Sequence, residues 1–228
     1  MPGTAFTPVA VPHQSLPFLC PGPSLLVSRA IAPTAGDPIP DIPAGGRYRG
    51  NVLLTAKGAA VLLIDLQERL VPAIHDGDVM VARSARLAEA AALLDVPVLA
   101  TEQYPKGLGR TVPELAAYPS ATLAKTAFSA STAPGFDGLI PAGTREIIIA
   151  GCEAHVCVMQ TVLGLLGSRL RVIVAADATG SRDPADKALA IDRARQHGAE
   201  VVSTEMVLFE WLRDASHPAF RSVQKLLK

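Results

Sequence analysis

REIIIAGCEAHVCVMQTVLGLLG (residues 145–167) decides the fold of this chain. Ile147, Ile148, Ile149 and Ala150 form a short unbroken apolar run, the pattern of a strand buried on both faces. Gly151 breaks the run. From Ala154 the spacing turns helical, with Val158, Val162 and Leu165/Leu166 on one side and Met159 and Leu163 on the flank. Cys157 is therefore expected in the first turn of a helix that starts at the carboxyl end of a central strand. Two effects meet there. Free backbone N–H groups and the positive helix end favour an anion, so a thiol ionises more easily. The carboxyl edge of a parallel sheet is also where open α/β folds hold their ligands. A small cysteine packed in the core is the competing reading of this stretch.

Working outward, further apolar runs mark strands at residues 59–64 (AAVLLI), 96–100 (VPVLA) and 170–176 (LRVIVAA), with a short strand at 122–125 and a last one at 200–203. Helical spacing covers residues 78–94 and 184–197, the second with a first-turn proline, Pro184, and a stop at Gly198. Two short helical pieces, 205–213 and 218–227, close the chain. Strands alternating with helices, most of them continuously apolar, predict an α/β fold: a three-layer doubly wound parallel sheet of about six strands, Rossmann-like in arrangement. No internal repeat is present. Neither GxGxxG nor a P-loop follows any of these strands, so no nucleotide or other cofactor is expected.

The 228 residues suffice for one domain with a substantial core plus an appendage. Residues 1–50 hold 10 of the 19 prolines, six glycines and no lysine, without apolar periodicity. They read as a disordered leader, and residues 51–228 as the folded domain. Zero formal net charge argues against nucleic acid or a membrane surface as partner. No apolar run reaches the roughly 18 residues of a membrane span. Three cysteines, Cys20, Cys152 and Cys157, do not suggest a disulfide framework, and a reducing compartment, the cytoplasm, is the expectation. No CxxC and no His/Cys cluster with zinc spacing occurs, so no metal is expected.

Parallel strands bring their carboxyl ends to one edge. Those ends offer Asp65, Glu102 and Gln103, Lys125 and the Cys157 turn. A carboxylate, an ammonium and a thiol on one rim are the ingredients of an activated cysteine nucleophile. Asp65 would take the thiol proton, Lys125 would favour the charged forms, and N–H groups at the helix start would stabilise an oxyanion. Each residue also has a plainer reading. Asp65 caps a turn, Lys125 is solvated, and Glu102 and Gln103 satisfy loop backbone. Asp177 serves the ATGSR turn after its strand, and Cys152 is packed. His155, two residues from Cys157, points a different way on a helix and is a pocket wall before it is a base.

The segments LLIDLQERLVPAI (62–74), ATEQYPKGLGRTVPEL (100–115), KTAFS (125–129), IIIAGCEAHVCVMQT (147–161) and ADATGSR (176–182) resemble the isochorismatase-like cysteine hydrolases, specifically their isochorismatase domain-containing subgroup. The resemblance spans about residues 52–228. It implies a catalytic triad of Asp65, Lys125 and Cys157. It also implies a non-proline cis peptide at Cys152–Glu153 and an oxyanion hole formed by the N–H groups of Glu153 and Cys157. Gln103, Glu102 and His155 fall in the implied substrate pocket. Relatives of this kind commonly form homo-oligomers, and residues 206–220 offer an apolar interface, a pocket wall or a cover for the sheet edge.

Departures from the pattern narrow the chemistry. The loop at residues 104–115 has neither histidine nor aspartate, so the metal site of nicotinamidase relatives is not matched. Having Cys157 at the helix start argues against the vinyl ether hydrolysis of isochorismatases proper. The expected activity is metal-independent cysteine hydrolysis of a C–N bond in a small amide-like or ureide-like substrate. The alternatives are isochorismatase-type ether hydrolysis and a non-catalytic redox-sensitive thiol module.

Overall fold

The computed structural model describes residues 52–227, and the leader expected over residues 1–50 lies outside the described residues. Chain order runs β1 (Ala59–Ile64), α1 (Gly77–Leu93), β2 (Val98–Gln103), α2 (Pro105–Leu108), β3 (Ala121–Lys125), α3 (Phe136–Leu139) and β4 (Glu146–Cys152). It continues through α4 (Met159–Leu165), β5 (Arg171–Gly180), α5 (Pro184–Gln196), β6 (Glu200–Val202), α6 (Thr204–Leu212) and α7 (Phe220–Lys225). Among the described residues the strands form one six-stranded sheet, order β3-β2-β1-β4-β5-β6, with every pairing parallel.

The apolar runs are buried on both faces because successive side chains alternate sides. Val61, Leu63, Val98, Ala100, Ile148, Ala150 and Ile173 pack with α1, α6 and α7 residues such as Leu87, Leu208, Trp211 and Val223. Ala60, Leu62, Ile64, Leu99, Ile147, Ile149 and Val172 face the other way, onto Phe136, Val158, Val162 and Ala194 of α3, α4 and α5 and the turn preceding α4. The expected three-layer, doubly wound architecture is what forms. None of the described helices is long and apolar enough to cross a membrane.

Local signals account for the helix ends. Asp183 caps α5 by accepting from the Ala185 N–H at 2.8 Å, with Pro184 at the first helical position. Gly198, at φ +103°, follows its end. Ser203 caps α6 through the Met206 N–H. In the 206–220 segment, Val207, Leu208, Trp211 and Leu212 are buried in the domain's own core, whereas Met206 and Phe209 are exposed.

Three strands run further than the apolar pattern predicted, and one of them, β4, continues through Gly151, where the apolar run breaks, to Cys152. β2 extends through Glu102 and Gln103, which pair with Ala124 and Lys125 of β3. β5 continues to Gly180 because Thr179 and Gly180 pair with Gly151 and Cys152, after a register shift that follows the Ile149–Val174 pair. Asp177 falls inside that irregularity. Its Oδ1 accepts from the N–H and hydroxyl of Thr204, at 2.7 and 2.9 Å, and anchors the start of α6. It does not serve the ATGSR turn, contrary to the sequence expectation.

Candidate active site

The strand order reverses between β1 and β4, and such a switch point opens a crevice at the carboxyl edge. Asp65 follows β1 there, and the Cys152–Cys157 segment follows β4. Asp65 adopts a left-handed conformation, φ 52°, which aspartate tolerates better than most residues. Its carboxylate is fully buried and doubly held. Oδ1 accepts from the Thr101 hydroxyl at 2.7 Å, and Oδ2 accepts from the Lys125 ammonium at 2.7 Å. Lys125 comes from the end of β3, two strands away, and its side chain is as sealed as that of Asp65. The ammonium also donates to Gln103 Oε1 at 2.7 Å and to the carbonyls of Ala127 and Phe128, at 3.2 and 3.3 Å.

Cys157 lies in a wide, π-helical turn, Ala154–Val158, that runs into α4. The peptide bond between Cys152 and Glu153 is cis. The charges of both members of the buried pair, Asp65 and Lys125, act on the Cys157 thiol. Burial pushes the thiol up to about 12, the Asp65 charge adds to that rise, and Lys125 offsets only part of it. The sequence reading expected the helix start to favour a thiolate. Here desolvation of a group that is 6% exposed outweighs that field, and the Val156 and Val158 N–H groups of the turn are directed at the Glu153 carbonyl. At rest, Cys157 is a thiol beside a carboxylate.

A titration follows from this. A thiol whose folded value is raised contributes stability that is fully present below its unfolded value, and this is lost as pH rises toward the folded one. Thiolate absorbance at 240 nm, taken as wild type minus Cys157→Ala, should stay flat through the range near 8.5 where free cysteine ionises. It should rise only as pH approaches about 12. A step between about pH 7 and 9 that vanishes in Cys157→Ala contradicts the assignment.

The remaining sequence candidates have separate tasks. Gln103 joins the cluster through Lys125, and its Nε2 donates to the Thr126 carbonyl at 2.8 Å. Glu102 turns to the following loop, accepting from the Thr111 N–H and hydroxyl and from Arg110. His155 pairs its Nδ1 with Ser181 at 3.0 Å and places Nε2 3.6 Å from Asp186, away from the Asp65–Lys125 pair. Glu153 receives the Arg182 N–H and guanidinium; burial alone would raise its carboxyl, but Arg182 brings it below the usual range. Cys152 donates to the Asp65 carbonyl at 3.3 Å, and burial pushes its thiol well up, as a packed cysteine requires.

Sequence reasoning missed Thr101 and Gln67. Gln67 is fully buried and clasps the Gln103 main chain in both directions, at 2.8 and 3.1 Å, while also donating to the Gly109 carbonyl at 2.7 Å. The available signal for Thr101 was strand register, since it pairs with Ile64, the residue before Asp65. Gln67 offered only its place two residues beyond Asp65.

A thiol, a carboxylate and an ammonium thus gather at the carboxyl edge of a parallel, three-layer α/β sheet. The chain belongs to the isochorismatase family: the family model described as Isochorismatase domain matches residues 59–206. Isochorismatase domain-containing protein 2 of Danio rerio is 41% identical over 175 residues, covering 76% of this chain and 89% of that protein. The structure of MAR1 ribonuclease from Caenorhabditis elegans is 36% identical at a TM-score of 0.72, covering 77% of this chain and 92% of that one. YcaC offers two further structures. The Pseudomonas aeruginosa protein, solved with hexane-2,5-diol and covalent acrylamide, is 25% identical at a TM-score of 0.71, with coverages of 78% and 92%. The Escherichia coli protein, described as an octameric hydrolase of unknown specificity, is 26% identical at a TM-score of 0.68, with coverages of 78% and 97%.

Proposed function

We propose that this chain is a metal-independent cysteine hydrolase that cleaves a C–N bond of a small amide-like or ureide-like substrate through a thioacyl-enzyme intermediate. The observation that carries the reading is the 2.7 Å contact between Asp65 and Lys125, closed to water, with both groups acting on the Cys157 thiol. A thiol held at about 12 needs a base at the moment of attack, and Asp65 is the carboxylate whose charge acts on it. In the proposed cycle Asp65 takes the thiol proton as Sγ bonds to the carbonyl carbon. The same proton passes to the departing nitrogen as the C–N bond breaks. Asp65 then deprotonates a water that attacks the thioester, releasing the acid and restoring the thiol. Lys125 balances the carboxylate's charge in the closed site. The N–H groups of Glu153 and Cys157 receive the oxyanion, an effect worth about 3 kcal/mol per donor.

The covalent acrylamide in P. aeruginosa YcaC supports a reactive nucleophile on this fold. No metal step enters, because the loop at residues 104–115 brings neither histidine nor aspartate to the rim. We assign a homo-oligomeric state, supported by the octameric E. coli YcaC, and a cytoplasmic location.

The test is a panel of small primary amides and ureides, with a vinyl ether and single-stranded RNA as the other arms, followed by intact-protein mass spectrometry. The expected result is release of ammonia or amine, with an acyl adduct on Cys157 that Cys157→Ala lacks. Turnover of the ether or the RNA alone, unchanged in Cys157→Ala, would overturn the reading.

A further inference from the structure

The geometry points to Thr161 as a positioning residue that fixes the Cys157 turn against the loop holding the Lys125 ammonium; the inference rests on the cysteine-hydrolase reading above. Thr161 sits in α4, one turn after Cys157, and is fully buried. Its hydroxyl donates to the Cys157 carbonyl at 2.7 Å and accepts from the Ala130 N–H at 2.9 Å. Ala130 is also fully buried and lies five residues beyond Lys125. Between them, the carbonyls of Ala127 and Phe128 accept from the Lys125 ammonium. One hydroxyl thus joins the main chain of the nucleophile to the loop that curls over the ammonium.

The surroundings leave that joint little play. The Ser129 hydroxyl donates to the Gln160 carbonyl at 3.2 Å. A Cβ placed on Gly164 would come within 2.2 Å of the Ser131 oxygen, so α4 and the 129–131 turn approach as closely as a bare glycine permits. Only a group that donates and accepts at once satisfies both a carbonyl and an N–H here, and a side-chain hydroxyl on Cβ is the shortest such group. A threonine hydroxyl bonding back to the carbonyl four residues earlier is common in helices. A second partner from another segment, also buried, is what makes this one a tether between two parts of the site.

Thr161→Val keeps the shape and removes the hydroxyl. The expected result is a kcat lowered about 100-fold, the scale on which small misplacements of a reacting group act, with KM within about twofold. Thr161→Ser should restore kcat to within about threefold. A second readout does not depend on turnover: alkylation of Cys157 by acrylamide at fixed pH, followed by mass, should slow in Thr161→Val by a similar factor and recover in Thr161→Ser. If the wild type hydrolyses none of the amide panel, the cysteine-hydrolase reading fails, and alkylation still decides whether Thr161 positions the thiol. A Thr161→Val protein with a lower Tm but unchanged kcat and alkylation rate overturns the inference. Where Thr161→Val does not fold, Thr161→Ala carries the same two measurements.

Discussion

Asp65→Asn should lose amide hydrolysis by about 1,000-fold in kcat/KM, within the range that removal of a general acid–base group produces. The substitution changes charge and leaves size alone. Asparagine can present its oxygen to Lys125 and its amide N–H₂ to the Thr101 hydroxyl, which accepts as readily as it donates. The fold should therefore survive, at a stability cost of about 3–5 kcal/mol for leaving a buried ammonium without its counter-charge. The thiol should respond in the opposite sense to the turnover. Asp65 raises the Cys157 thiol and Lys125 lowers it, so without the carboxylate the ionisation should move down from about 12, by about one unit or more. More thiolate with less turnover separates the two roles a carboxylate can have beside a cysteine. A residue that only tuned the nucleophile would leave Asp65→Asn at least as active as wild type. Turnover within about tenfold of wild type removes Asp65 as the base. Absorbance at 240 nm and initial rates on the same preparations give both numbers.

The strand-end logic behind Asp65 and Cys157 was legible because a buried parallel strand is a continuous apolar run that stops at, or within two residues of, the carboxyl edge. Lys125, by contrast, ends a largely exposed edge strand. AAVLLI ends on Asp65, and IIIA ends on Gly151. What stayed hidden were the groups whose partners lie far along the chain. Gln67 looks like a loop residue until Gln103 and Gly109, 36 and 42 positions later, fold onto it. Thr101 looks like a β-branched strand former, and its hydroxyl gains a task only from its register beside Ile64. The continuation of β5 was hidden for a different reason. ADATG contains turn-forming residues, and periodicity cannot show that pairing resumes at Thr179 after the register shift. The thiol's protonation state was misjudged because a sequence shows a helix start but not the burial that overrides its field.

Gly151→Ala should be the most destabilising single methyl addition at the site's edge, removing at least about 4 kcal/mol, the range reserved for strain and overpacking together. Two independent penalties coincide. Gly151 has φ +124°, a conformation that residues with a Cβ rarely adopt. Its added Cβ would lie 2.1 Å from the Ile64 carbonyl oxygen and 2.7 Å from the Ile64 nitrogen, both main-chain atoms of a central strand that cannot swing aside. That close approach does structural service for the site. Gly151 pairs with Ile64, so the next residue after each of them, Cys152 and Asp65, can share the 3.3 Å contact between thiol and carbonyl. Pushing the strands apart there would separate the Cys157 turn from its carboxylate as well as loosen the sheet. Gly143→Ala is the matched control: φ is +83° but the space is open, so only the backbone term of about 1–2 kcal/mol applies. For a domain of this size the difference should appear as a Tm lower by about 10 °C or more in Gly151→Ala, against about 3–6 °C in Gly143→Ala. Equal losses in the two variants would mean that conformation, and not the approach of β4 to β1, is what glycine supplies at position 151.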